Sequence, residues 1–468
     1  MLLPSTLVRL LFEHYPHEFR RRLVADTDKL RNFWAEFLSQ PHTALWASRH
    51  PFLRGKTVGD LVCTVPCVVH SDAGPCTKRA SCNVLSWSVL LSVGDEKLCK
   101  FVIASYLKKA SGGDEHAWAR IVEDFDELAT SVVGGVAVAN EGRTTWKCVM
   151  LLCKSDEEVK VNEFGMTSYN APAGEVCADC LCNDTTRPWT DLSRGWEWRR
   201  TAETSFGAFN ARFRTPRHAL VDSHYFCDRW FFYFELMHLA DCKGVAALAF
   251  GSVLAMLLQK RTLGRTRADR LQAINEYMKD WYKRRPGWHR LPPLRPTSLR
   301  DAQGWANLVG PTVKAANTRA FTPLLRDFAR VHFASGSDRD RNVLGVLEGL
   351  ASYYELLYAA PRFLPMDSIA LLRQICFSIV ENWMALRAAA RVRSELTWKI
   401  SPKVHKLQHT PLYASVLNPR HVQVYAEESL VGTTVNIWKK SVSGRYQRTV
   451  QGVVLFKRLL ALLLRFET

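Results

Sequence analysis

The chain has 468 residues, 47% of them hydrophobic and 11% aromatic, which is enough for a large core spread over two or three ordinary domains and excludes a disordered chain. Lysine and arginine number 63 against 45 aspartate and glutamate, for a formal net charge of +18. That excess favours a polyanionic partner, nucleic acid before others, although a basic soluble protein or a binder of acidic membrane has the same balance.

The first 60 residues are helical in pattern: LVRLLFEHY and LRNFWAEFL each place apolar side chains at three- and four-residue intervals. The basic residues of this end follow a short apolar run, the reverse of a secretory signal, and no small-residue cleavage site follows, so the chain reads as cytosolic or nuclear. From 65 to 107 the texture becomes β-rich, with VPCVVHSD, NVLSWSVLLS and LCKFVIASYL separated by turn-like SDAGP and VGDEK. Three consecutive strands fit. A helix over 116–133 precedes a fourth strand, TTWKCVMLLCKSD, which ends in Asp156. Beyond a Cys-containing loop at 171–195, residues from about 230 to 395 are patterned as an all-helical insertion, broken at 285–300 by a Pro- and Arg-rich exposed loop or hinge. Two more helices follow, in EESLVGTTVNIWKKSV and GVVLFKRLLALLLRF. The most apolar stretches, 245–258 and the C-terminal LLALLL, fall short of the roughly 18–20 residues of a bilayer span.

Two-metal phosphoryl transfer needs carboxylates that converge on ions roughly 3.5–4 Å apart. A sheet supplies that convergence when one acid sits on its first strand, a second at the end of the neighbouring fourth strand and a third on a helix packed alongside. Asp72, Asp156 and Glu428 hold those places, with Glu427 the alternate for the third. Each has a plainer reading. Asp72 suits a strand-ending turn, and Asp156 and Glu428 suit helix N-termini, where the dipole favours acids. Their joint pattern selects them.

Thirteen scattered cysteines in a long chain point to reduced thiols with one metal site rather than a disulfide framework. Cys177 and Cys180 form a CxxC, and His405 and His409 an HxxxH whose imidazoles share a face if the segment is helical. Together they make a tetrahedral structural Zn2+ site, in which Cys182, Cys227 or Cys242 could replace one ligand. A CxxC after the second acid and a His pair before the third would tether both ends of the helical insertion to the catalytic core.

For nucleic acid, the 260–300 stretch offers Lys260, Arg261, Arg265, Arg267, Lys283, Arg284 and Arg285 as phosphate contacts. Trp281, Tyr282 and Trp288 lie among them, either to stack on unpaired bases or to pack inside the helices. A second cluster, Lys439, Lys440 and Arg445, follows the third acid and either lines a cleft or is a solvated helix end.

In these residues the chain resembles the eukaryotic cut-and-paste DDE transposases, of the CACTA-like and Kyakuja/Dileera/Zisupton-like groups and the transposase-like proteins of protists. The resemblance runs from about residue 50 to the C-terminus. Its anchors, in order, are VVHSDAGP, LSWSVLLSVG, MLLCKSDEEVKVNEFG, EVCADC, RPWTDLSRGWEW, ELMHLADCKGVAALAFGSVL, SPKVHKLQH and NPRHVQVYAEESLVG. It implies an α/β fold with an RNase H-like mixed-sheet core interrupted by a large all-α insertion. The implied divisions are an N-terminal helical region (1–62), the first part of the core with the CxxC (63–195), the insertion (196–398), and the final catalytic helix region with the HxxxH (399–468). It further implies two Mg2+ or Mn2+ ions on Asp72, Asp156 and Glu428, action on transposon ends and target DNA in the nucleus, no membrane, and a homodimer, since two element ends must be paired. Relatives often read HGDG where this chain has Ser71 and Ala73 around Asp72. His238 and Asp241, in MHLADCKGV, match a recurrent family motif and, three apart on a helix, read as a buried hydrogen-bonded pair. A catalytically silent DNA-binding descendant and a stand-alone nuclease share the same acids or fold.

Overall fold

The computed structural model describes the chain except residues 25–26, 78–79, 92–98, 109–112, 131–132, 139–141, 168–176, 184–185, 194–204, 234, 311, 442–446 and 465–468. Its fold is mixed α/β. Two compact units divide it, one built from Met1–Thr167, Ser205–Phe234 and Val424–Thr468, the other from Ser168–Thr204 and Glu235–Gln423.

The first unit holds the sheet, with strands β1 (Thr64–Pro75), β2 (Ser81–Val89), β3 (Lys100–Leu107), β4 (Val133–Val138), β5 (Gly142–Lys154) and the short β6 (Phe232–Tyr233). The order is β3-β2-β1-β5-β4, and β6 pairs with β5. β1 runs antiparallel to β2 and parallel to β5, from Thr64 opposite Lys147 to His70 opposite Lys154. A central strand covered on both faces needs a continuous apolar run, which VPCVV supplies: β1 is buried over nearly its whole length. The helix Gly113–Thr130 packs on β5, and the helix Tyr425–Ser441 packs on β1. The N-terminal helices are fixed to this unit by specific bonds. The Trp34 indole donates to the Thr64 carbonyl at 2.8 Å, and Asp124 accepts from the Ser5 amide at 2.8 Å and its hydroxyl at 2.5 Å, capping the helix Pro4–His14 from outside.

Two strand assignments change. β1 does not end before Asp72 but continues through Pro75, because pairing with β2 persists to Pro75 opposite Ser81 and the turn is made at 76–80, where the Cys76 and Thr77 amides both donate to the Ala80 carbonyl. The strand bearing Asp156 at its end is the fifth, since VGGVAV forms β4 despite two glycines that weaken its β signal.

The second unit is helical. Val245–Leu257 has every residue but Ala255 buried, as an all-round apolar helix requires. With the π-helical turn Met237–Asp241 before it, the apolar run Met237–Leu257 does reach bilayer-span length, but 83% of its window is buried inside the fold. Asp338–Ala359 and Met366–Val392 pack on each other as a long pair. Fully buried Asn418 clamps the end of the first, its amide donating to the Leu357, Ala360 and Pro361 carbonyls at 2.9–3.3 Å. The Pro-rich segment is no hinge: the Leu291 amide donates to the Tyr282 hydroxyl, and Leu294 exchanges two bonds with Asn275, strapping it along the helix Arg267–Lys283.

The unit boundaries differ from the divisions drawn on the sequence. Residues 205–234 join the sheet unit, where β6 extends β5, while the CxxC loop and residues 399–423 join the helical unit.

Candidate functional site

β1 alternates its side chains, so His70, Asp72 and Gly74 share one face. Gly74 marks how close the helix Tyr425–Ser441 comes to that face, because a Cβ there would lie 2.6 Å from Val435 Cγ2 and 3.5 Å from Val431 Cγ1. Glu428, Val431 and Val435 are three and seven residues apart and lie on one side of the helix, so the packing that seats the valines on Gly74 carries Glu428 to Asp72. Asp156, just past the end of β5, caps the helix Glu157–Asn162, its Oδ1 accepting from the Val159 amide at 2.7 Å.

The three acids thus meet. The Asp72 carboxyl, 9% exposed, is pushed up to about 8, first by burial, then by the charges of Glu428 and Asp156, and by a hydrogen bond shared with Glu428; the Ala73 amide, donating to Oδ1 at 2.6 Å, opposes the rise. Burial and like charge together make the ionised Asp72 carboxylate unfavourable unless a proton or a cation offsets it.

Glu427 has a different task. It is 1% exposed and pairs with Lys100 of β3 at 3.0 Å and with Lys154 at the end of β5. Although burial opposes ionisation, Lys100, Lys154 and His70 hold its carboxyl far below the usual range. It is Glu428, not this lysine-paired neighbour, that shares a hydrogen bond with Asp72.

In the helical unit, Cys177, Cys180, Cys182 and His405 are all buried, with donor atoms within 4.8 Å of one another, a group able to hold a metal ion such as zinc. His409 joins them: its Nε2 lies 3.6 Å from Cys177 Sγ and 3.3 Å from His405 Nε2, while His405 Nε2 lies 3.4 Å from Cys180 Sγ and 3.6 Å from Cys182 Sγ. A tetrahedron with Zn–S near 2.3 Å and Zn–N near 2.1 Å takes four of these five donors and has S···N edges of roughly 3.6 Å and N···N edges of roughly 3.4 Å, so the spacing suits such an ion. The electrostatics fit too. Burial holds His405 in the neutral form, and its Nδ1 faces the Trp189 carbonyl at 3.0 Å, which fixes the proton there and leaves Nε2 bare toward the sulfurs. Burial raises the Cys177 thiol, but bonds from Cys180 and Cys182 and the charge of His409 outweigh it and bring the thiol well below its ordinary value. The CxxC loop is held by Tyr413, whose hydroxyl donates to Asp179 at 2.5 Å. Cys182 therefore enters the group beside the four residues the spacing indicated, and the cluster closes the helical unit on itself rather than tethering the insertion to the sheet.

Among the basic residues, Arg261, Arg265, Arg267, Lys283, Arg284, Lys439 and Lys440 are exposed. Lys260 is engaged, 3.3 Å from Asp340 and over the Phe333 ring, and Arg285 stacks on Trp281 at 4.0 Å. Arg445 lies outside the described residues. The aromatics among them serve packing: Trp281 and Tyr282 are buried, and the partly exposed Trp288 donates to the Ala320 carbonyl at 2.7 Å. His238 and buried Asp241, expected as a hydrogen-bonded pair, lie in a π-helical turn, where His238 Nδ1 bonds Glu235 at 2.8 Å and Asp241 accepts from the Tyr354 hydroxyl. Sequence reasoning passed over Lys100, Lys154, Gly74 and Trp189. The one visible signal was Lys154, a lone cation ending the apolar run CVMLLCK.

No protein-family model matches the chain, and no curated protein matches it as a relative.

Proposed function

We propose that this chain is, or descends from, a DDE-type DNA transposase with an RNase H-like core, in which Asp72, Asp156 and Glu428 bind two Mg2+ or Mn2+ ions. One observation carries the reading: three acids selected from distant parts of the sequence by that chemistry lie near enough to interact, with burial first and then the charges of Glu428 and Asp156 pushing the Asp72 carboxyl up to about 8. Two features support it. β1 lies central, antiparallel to β2 and parallel to β5 with an acid at or beyond each strand's end region, and the neighbouring Glu427 is already committed to lysines.

Bound divalent ions would supply activation of a water or 3′-OH and stabilisation of the leaving oxygen at the scissile phosphate. The chain's own residues do the rest. Asp72, presented by the rigid central strand, and Asp156, locked by its bond to Val159, give fixed ligands, while Glu428 comes with a helix seated on Gly74. Exposed Arg261, Arg265, Arg267, Lys283, Arg284, Lys439 and Lys440 provide sequence-independent phosphate contacts. The Cys/His group binds structural Zn2+ in this reading, and a nuclear homodimer is the form suited to pairing two DNA ends.

The test is metal-dependent cleavage and strand joining on DNA carrying the element's flanking ends, comparing wild type with Asp72→Ala, Asp156→Ala and Glu428→Ala. Joined products that each substitution abolishes, with DNA binding intact, are expected. Cut strands without joined ones would mean a nuclease, and an inert but DNA-bound wild type would mean a silent DNA-binding descendant.

A further inference from the structure

We propose that Glu427, itself no metal ligand, is a positioning residue for the acid cluster: pinned between Lys100 and Lys154, it sets the rotation of the helix Tyr425–Ser441 that brings Glu428 to Asp72. The inference rests on the divalent-metal reading of the three acids.

The geometry is unusual for a salt bridge. Lys100 opens β3 and Lys154 closes β5, strands separated in the sheet by β2 and β1, so with strands roughly 4.8 Å apart the two backbones lie about 14 Å from each other. Both lysine side chains nevertheless reach the same carboxylate oxygen, Oε1 of Glu427, from opposite flanks of β1. The group is sealed, with side-chain exposure of 2% for Glu427, 3% for Lys154 and 13% for Lys100. One helical side chain is thereby fastened to two strands that bracket the strand bearing Asp72.

Stability alone does not explain such a triad. Desolvating three charges offsets most of their mutual attraction, and well-packed apolar residues in their place are commonly as stable or more so; what a buried ion cluster does supply is register. Successive residues on a helix project about 100° apart. Fixing Glu427 toward the lysines therefore fixes the direction of Glu428, while Val431 and Val435 against Gly74 fix its distance. An apolar residue at 427 would bury equally well over a range of helix rotations, and Glu428 would lose its single orientation.

The experiment measures Mn2+ binding to the full-length chain by electron paramagnetic resonance and calorimetry, for wild type, D72N, E427Q and K100Q, with melting curves alongside. D72N should remove the binding. E427Q should bind with affinity lowered roughly 10–100-fold, the usual cost of losing a group that orients a metal ligand, and cleavage should return toward the wild-type rate at high Mn2+. K100Q, which leaves the Lys154 pair, should shift affinity in the same direction by a smaller factor and keeps the question open to refutation if E427Q fails to fold. A general loss of stability would lower the melting temperature without moving the half-saturating Mn2+ concentration. Wild-type affinity in folded E427Q or K100Q overturns the positioning role while the acid reading stands. Loss of binding in E427Q at every Mn2+ concentration makes Glu427 a ligand and overturns it too. If wild type and D72N take up Mn2+ alike, the acid reading itself fails and this inference with it.

Discussion

The acid cluster of the sheet unit and the Cys/His cluster of the helical unit are opposite solutions to burying reactive side chains. The acids gather around buried Asp72 on the central strand, and burial first, then the charges of Glu428 and Asp156, push its carboxyl up to about 8. The thiols and imidazoles are sealed inside, and the neighbours orient them: Trp189 sets the His405 tautomer, and Tyr413 holds the loop through Asp179. One arrangement sets like charges beside a carboxyl that burial already disfavours as an anion. The other is closed, with all its donor atoms buried, as in structural metal sites.

Breaking the closed cluster should have the largest effect. Structural zinc contributes an apparent ~10–16 kcal/mol in small zinc-finger peptides, and even a modest share of that exceeds the margin of an ordinary domain. Cys180→Ser is expected to lose zinc and the cooperative melting of the helical unit, checked by metal analysis and calorimetry. Wild-type protein that holds no zinc as purified yet melts cooperatively above the variant would remove the metal from this cluster.

At the acid cluster the prediction has the opposite sign. A carboxyl whose folded value is about 8 and whose ordinary value is 3.8 binds a proton in the folded chain that the unfolded chain releases. Its contribution therefore declines as pH rises from about 4 to about 8. Asp72→Asn, tested free of divalent ions, should melt higher than wild type at pH 8, by a few degrees for each ~1–2 kcal/mol relieved, with the difference shrinking toward pH 4. Added Mn2+ should reverse the order by stabilising only the wild type. A variant that melts lower at pH 8 without metal would show that Asp72 is not strained by its neighbours.

The smallest effect belongs to the surface. Because Lys283 and Arg284 are exposed, Lys283→Glu with Arg284→Glu should leave melting unchanged, weaken DNA binding evenly across sequences, and flatten the salt dependence by about one unit of slope for each phosphate no longer neutralised. An unchanged salt slope would take these two residues off the DNA path.

Much of this architecture was legible in the sequence, and the omissions have physical causes. β1, β2 and β3 stood out because their apolar runs are bounded by turns. β4 was hidden by its glycines, and the true end of β1 by SDAGP, whose turn-like composition is overridden by pairing with β2. That Asp156 and Glu428 come near Asp72 could be anticipated because the strand order and the helix pattern place them there. Glu428 was preferred with Glu427 the alternate, and what distinguishes the two adjacent identical residues, that Glu427 is the one meeting Lys100 and Lys154, depends on lysines remote in sequence. Likewise Cys182 was one of several thiols until folding placed its sulfur 3.6 Å from His405 Nε2. That residues 205–234 group with the sheet was not legible, because a two-residue strand, β6, has no periodicity to read.

The sheet unit is assembled from three separate stretches of chain, the last beginning at Val424. During synthesis at roughly 5–20 residues per second, Asp72 and Asp156 leave the ribosome tens of seconds before Glu428 does. Until then the nascent chain has two of its three carboxylates and lacks the helix that covers β1 and supplies the partner of Lys100 and Lys154. A nascent chain that has not yet emerged past Val424 therefore has an incomplete sheet unit, with Asp72 and Asp156 in place but not Glu428.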